Sequence, residues 1–252
     1  MLAKARGARK PVVICFLGAD PKTIAGANLV PVETLEDAAH AAAALARGQK
    51  PKRARQARTA KLPRLRRGQK YVRGLYSGGT FCYEASLLLG KSVSPVHSNT
   101  PVGKAMKLDD VWQSQAHTLV DLGDDVFTRG RPHPMIDHRL RNERIVQEAA
   151  DPETAVILLD IVLGHGSHMD PASEIVPAVV AAKKLARKAG RNLVFVGFVC
   201  GTDRDPQNLA KQEHALRAAG VLLTASNAQA ARLAARIVAS AAKSAPKKRH
   251  VK

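Results

Sequence analysis

The chain has 252 residues, 45% of them hydrophobic, and a formal net charge of +19, so it can bury a core and its charge would ordinarily suggest nucleic acid as a partner. The charge is unevenly placed: residues 47–73 carry twelve basic side chains and no acid, both ends are basic, and residues 74–242 hold 18 basic against 17 acidic residues. A nearly neutral body argues against a specific nucleic-acid face, and no apolar run approaches the roughly 18 residues needed to span a membrane.

In chain order, Met1–Lys10 reads as the last turns of a basic helix and Val12–Leu17 as a buried parallel strand. The pair imitates a signal peptide, but the apolar run is short and β-branched, and Gly18-Ala-Asp-Pro21 offers no cleavage site. Thr34–Leu45 reads as a helix with Thr34 as N-cap. One strand and one helix cannot make a core, so residues 1–46 are expected to be the remnant of a preceding α/β domain, followed by a basic flexible linker over 47–70. From residue 71 to 242 strands and helices alternate: strands at Tyr71–Ser77, His117–Leu122, Ala155–Val162, Leu193–Val199 and Val221–Ala225, and helices at Gly79–Leu89, Met135–Ala150, Ala172–Ala189, Pro206–Ala219 and Asn227–Ala242. In the Met135 helix, Ile136, Leu140 and Ile145 fall at helical spacing, and Asn227 is the expected cap of the last helix. This alternation predicts a flavodoxin-like parallel sheet with helices on both faces, ending in a basic tail at 243–252.

In such a sheet, ligands sit outside the carboxyl ends of the strands, where the polar loops gather. Asp121–Asp137 is the richest of these loops, combining Asp124, Asp125, Arg129, Arg131 and His133 with Gly130, Pro132 and Pro134, which forbid regular structure. Ser77-Gly78-Gly79-Thr80 opens a helix whose free N–H groups suit phosphate or carboxylate; the plainer reading is a tight turn. Arg129 and Arg131 either fork onto an anion or pair with Asp124 and Asp125 to hold the loop. His133, with Asp124 beside it, is the candidate proton-transfer group, against a structural hydrogen-bonding role. Gly201, Thr202 and Asn227 lie at the ends of the last two strands and complete the candidate anion site. Asp160, the only acid in the strongest strand, either faces the site or is buried and hydrogen-bonded, and Asp160→Asn is expected to impair binding more than stability. His165 and His168 lack further ligands at zinc spacing, so no metal is expected. Cys82 is expected to be packing. Three cysteines, Cys15, Cys82 and Cys200, without a Cys-x-x-Cys pair, fit a reducing, cytoplasmic setting.

Four stretches carry a family resemblance: Gly74-Leu-Tyr-Ser-Gly-Gly-Thr-Phe-Cys-Tyr-Glu-Ala85, the Asp121–Asp137 loop, Ala155–Asp160 running into Gly164-His-Gly, and Val199-Cys-Gly-Thr202 with Asp205-Pro-Gln207. Over residues 68–240 they resemble the FdrA family, whose domains are in turn similar to the α subunit of succinyl-CoA synthetase. The resemblance implies a subunit of an enzyme transferring a carbamoyl group between carbamoyl phosphate and oxamate in allantoin breakdown. Naming by fold implies instead an acyl-CoA synthetase subunit. Both take a small anionic substrate, an acyl or carbamoyl phosphate or a carboxylate, and both work with other enzyme subunits. The synthetase's phosphorylated histidine has no counterpart in Gly201-Thr-Asp-Arg-Asp-Pro-Gln207, so no phosphohistidine relay is expected. Members of the family are typically about twice as long, so CoA or a nucleotide would enter only through a front half or a partner chain. A non-catalytic assembly or regulatory subunit is the alternative of a different class. Nucleic-acid contact through residues 47–73 would be nonspecific, because that stretch nearly lacks aromatic residues for stacking.

Overall fold

A computed structural model describes residues 2–24, 26–52 and 62–244. The chain divides into two compact units, Met1–Arg58 and Thr59–Lys252.

In the first unit α1 (Leu2–Arg6) precedes β1 (Val12–Cys15), which pairs in parallel with β2 (Leu29–Val32), and α2 (Leu35–Ala46) follows. Thr34 caps α2, its Oγ1 accepting from the Asp37 N–H at 3.1 Å. The sequence pattern conceals β2 because Leu29-Val-Pro-Val32 contains a proline, which an edge strand tolerates. With two strands, the unit buries Ile14, Leu29 and Ala41 as its small apolar centre.

The second unit is a seven-stranded, wholly parallel sheet. Its strands are β3 (Tyr71–Tyr76), β4 (Val96–Ser98), β5 (Met106–Lys107), β6 (His117–Asp121), β7 (Thr154–Val162), β8 (Val194–Cys200) and β9 (Val221–Thr224), in the order β5-β4-β6-β3-β7-β8-β9. The strands legible in the sequence form the unbroken block β6-β3-β7-β8-β9, the flavodoxin order. β7 lies inside that block and is buried from Thr154 to Ile161, as a strand covered on both faces must be. β4 and β5, three and two residues long, extend the sheet beyond β6 and are too short to leave a periodic signal.

Helices α3 (Gly79–Leu89) and α8 (Asn227–Ser244) cover one face, packing Cys82, Ala85, Leu89, Ala231, Ile237 and their neighbours against Tyr76, Leu119 and Val156. Helices α5 (Arg139–Ala150), α6 (Pro171–Lys188) and α7 (Leu209–Ala218) cover the other, with Ile145, Ile175, Val179 and Leu216 on Leu75, Ile157 and Phe195. A one-turn helix, α4 (Asp125–Thr128), sits in the long loop and ends before Gly130, whose φ of 72° is in the left-handed region.

Several expectations need correction. Residues 62–70 belong to the second unit rather than to a linker. Leu62 and Leu65 pack on the core, and the Gln69 amide donates to Thr154 O at 2.9 Å and accepts from Asn192 N–H at 3.1 Å. Arg47 closes α2 as its C-cap, and residues 53–61 of the basic stretch lie outside the described residues, as does the tail beyond 244. Helix α5 begins at Arg139, not Met135, because the chain first makes a tight turn in which Ile136 N–H and Asp137 N–H both donate to His133 O, at 2.8 and 3.1 Å, and Ile136 is left exposed. Ser226 rather than Asn227 caps α8, its Oγ accepting from Gln229 N–H at 3.1 Å.

Candidate functional site

The carboxyl ends of β3, β6 and β7 meet at one place. Where β3 runs out, Ser77 is 1% exposed; its N–H and hydroxyl both donate to Asp160 Oδ1, at 2.9 and 3.2 Å. Asp160, on β7, is itself sealed and accepts from Arg141 Nη1 of α5, at 2.9 Å to Oδ1 and 2.6 Å to its carbonyl. Arg141 Nη2 lies 3.0 Å from His138 Nδ1, and since a guanidinium only donates, Nδ1 is the acceptor. Burial pushes the Asp160 carboxyl up and the Arg141 guanidinium down, with the attraction between the two opposing both shifts. Burial and the neighbouring Arg141 drive His138 down to about 3, so its ring is neutral at physiological pH. Asp160 is thus sealed from solvent and hydrogen-bonded. It is the post to which the Ser77 backbone is tied as the chain turns into α3.

That turn leaves the first N–H groups of α3, from Gly79 to Phe81, without partners inside the helix, and its N-cap Gly78 supplies no side-chain bond. Asp121, at the end of β6, stands opposite. Its backbone is held by Asn99, which accepts from Asp121 N–H at 2.9 Å and donates to Asp121 O at 3.0 Å, while Oδ1 accepts from Gly123 N–H at 2.9 Å. Burial raises the Asp121 carboxyl to about 6; the Gly123 N–H opposes this, and the charges of Asp124 and Asp160 add to it.

Two glycines let these groups approach. A Cβ on Gly79 would stand 3.0 Å from Asp121 Oδ2 and 2.9 Å from Tyr83 Oη. A Cβ on Gly123 would meet His133 Nε2 and Ser77 O at 2.7 Å and Asp121 Oδ1 at 3.2 Å. A side chain is therefore excluded at Gly123, where it would meet backbone, and at Gly79 it would displace the end of Tyr83 and crowd Asp121. The His133 ring is oriented by Met135 N–H, which donates to its Nδ1 at 3.3 Å, so Nε2 faces Gly123.

The remaining expected site residues divide. Ser77, Gly78, Gly79 and His133 converge as described, and Thr80 is exposed on the first turn of α3. Asp124 caps α4, accepting from Val126 N–H at 3.0 Å. Arg129 and Arg131 are exposed, and no ion pair joins either to Asp124 or Asp125. Arg131 lines a cavity of about 210 Å³ with Phe127, Asp137, Arg139 and Glu143, a pocket that includes none of Ser77–Thr80. Gly201 and Thr202 follow β8, where Thr202 N–H donates to Asp205 Oδ2 at 2.6 Å. Asn227 is turned inward. It is 2% exposed, its amide donates to Phe81 O and Glu84 Oε2, and its oxygen accepts from Tyr76 Oη, so it braces α8 against α3. His168 Nδ1 accepts from Asp170 N–H and its ring meets His138 edge-on. Among the described residues no three His, Cys, Asp or Glu side chains converge as metal ligands.

Sequence reasoning missed Arg141 and His138 and took Asp121 only as a loop boundary. The one available signal for Arg141 is the thin apolar stripe of α5, whose buried positions 141, 144, 145, 148 and 149 carry two arginines and a glutamate.

A doubly wound parallel sheet with polar loops gathered at its carboxyl edge is the architecture of a CoA-ligase-type domain. Residues 75–237 match the family described as CoA-ligase, and the chain belongs to that family. It is also 39% identical over 241 residues to "Uncharacterized protein YahF" of Escherichia coli (strain K12), an alignment covering 93% of this chain and 46% of that protein. The chain therefore spans about half the length of this curated relative. No helix among the described residues is long and apolar enough to cross a membrane.

Proposed function

We propose that this chain is a subunit of an acyl-CoA ligase-like enzyme, and that the crevice between α3 and the Asp121–Asp137 loop holds the phosphoryl or carboxylate group of its substrate. One observation carries the reading: the unpartnered first turn of α3 opens, through Gly79 and Gly123, onto His133 and Asp121 in a CoA-ligase family domain. In this reading the α3 amides bind the anion, Arg129 and Arg131 draw it toward the loop, and His133 handles a proton at the reacting carbonyl. CoA or a nucleotide would be held by another part of the assembly. The enzyme would operate in the cytoplasm.

A second reading is carbamoyl transfer between carbamoyl phosphate and oxamate, as in the FdrA family. It is favoured by Gly201–Gln207, which contains no histidine to carry a phosphoryl group, so that an acyl or carbamoyl phosphate would react directly with its acceptor. The test is to incubate the chain, with the rest of a full-length relative supplied in trans, with acetyl or carbamoyl phosphate and either CoA or oxamate. Acceptor-dependent phosphate release is the expected result, and the effective acceptor separates the two readings. Release that is independent of both acceptors, from a chain that also fails to bind either phosphate, would leave the assembly-subunit alternative.

A further inference from the structure

Asp121 is the least explained group of the crevice. It is 6% exposed, its Oδ1 is occupied by Gly123 N–H, and its Oδ2 has no hydrogen-bond partner among the described residues. That oxygen is aimed at the start of α3, 3.0 Å from where a Cβ of Gly79 would be. An ionised carboxylate there would repel any anion seated on the same helix terminus. A neutral carboxylic acid would instead offer it an O–H.

We propose that Asp121 is the proton-carrying ligand of the crevice: an oxyanion on the first-turn N–H groups of α3 also accepts a hydrogen bond from protonated Asp121 Oδ2, so that anion and proton bind together. The inference rests on the anion-binding role given to this crevice above. It requires no covalent step. The surroundings favour the neutral acid. Asp124 and Asp160 are the acids that bear on it, Cys82 and Tyr83 face it from α3, and His133 lies across Gly123; the carboxyl already stands at about 6 without a ligand. An anion that accepts only from the acid form then loses affinity by about tenfold per pH unit above roughly pH 7 and takes up about 0.9 proton at pH 7.

The test is calorimetry on the full chain with sulfate and with oxamate, whose charges stay constant over roughly pH 5 to 8, in buffers of different ionisation enthalpy. Wild type should show proton uptake on binding and an affinity about 100-fold weaker at the alkaline end. Asp121→Asn keeps an oxygen for Gly123 N–H and presents a permanent N–H donor, so it should bind with little pH dependence and without proton uptake. His133→Gln should retain the uptake. Binding by wild type without proton uptake, a pH dependence kept by Asp121→Asn, or an uptake abolished by His133→Gln would each overturn the role of Asp121 and leave the anion site standing. Failure of wild type to bind either anion at millimolar concentration would overturn both.

Discussion

Replacing Asp160 by Asn probes the deepest electrostatic commitment of the fold. Asp160 and Arg141 are both fully buried, and Arg141 has no other anionic partner among the described residues. The substitution preserves shape but leaves a guanidinium with no counter-charge in the interior, and breaking a buried pair by removing one partner costs about 3–5 kcal/mol. Against a total stability of about 5–15 kcal/mol this is a large fraction. At roughly 2–4 °C per kcal/mol for a domain of this size, it should lower Tm by about 6–20 °C. The sequence alone suggested a loss of binding larger than the loss of stability; with Arg141 in place, stability is expected to suffer first. Urea titration of the wild type, Asp160→Asn and Asp160→Asn with Arg141→Met measures it. The double variant, which removes the stranded charge, should recover a substantial part of the loss, as apolar replacements of buried pairs commonly do. An Asp160→Asn protein within about 1 kcal/mol of wild type, or a double variant whose losses simply add, would refute the reasoning.

Three other outcomes follow from the same geometry. Because folding raises the Asp121 carboxyl from 3.8 to about 6, the native state holds that proton more tightly than the unfolded chain, and the stability this group contributes is lost as pH rises through 6. Asp121→Asn should therefore stabilise the protein by about 1–3 kcal/mol near pH 8 and leave it unchanged near pH 4; an equal effect at both, by denaturant titration, would contradict the assignment. Arg131→Ala and Arg129→Ala should each weaken carbamoyl phosphate or oxamate binding by about tenfold, the worth of one charge-assisted hydrogen bond, as read by calorimetry. Retention on heparin should disappear between low and physiological salt, and outright when the basic residues from Arg47 to Lys61 are changed to glutamine. Salt-resistant retention would show a nucleic-acid face that the nearly neutral body does not offer.

The sheet was legible wherever a strand is long and covered on both faces. Ala155–Val162 is an uninterrupted apolar run except for Asp160, and nothing but a central strand suits it. Val96–Ser98 and Met106–Lys107 were not legible, because two or three residues carry no period. Leu62 and Leu65 were hidden among arginines and lysines, whose charge masks the anchoring of that stretch to the core. The site was legible as a set of loops but not as a set of contacts. Ser77 and Asp160 are separated by 83 residues, and only the adjacency of β3 and β7 joins them. Arg141 was invisible for a different reason: by composition an arginine on a polar helix is a surface residue, and only the Asp160 carboxylate beneath it makes burial tolerable. Asn227 misled in the opposite sense, since its place at a strand end implied a helix cap and an anion ligand whereas its amide bridges α3 and α8.

The central claim is that the start of α3 is the anion seat of this domain. Amide NMR of the full chain during titration with carbamoyl phosphate, oxamate and sulfate tests it most directly. The account predicts saturable shifts concentrated at Gly78, Gly79, Thr80 and Phe81 and at Gly123 across the crevice, with Gly201 and Thr202 less affected. Saturable shifts confined to other parts of the chain, or none at millimolar anion, would contradict it.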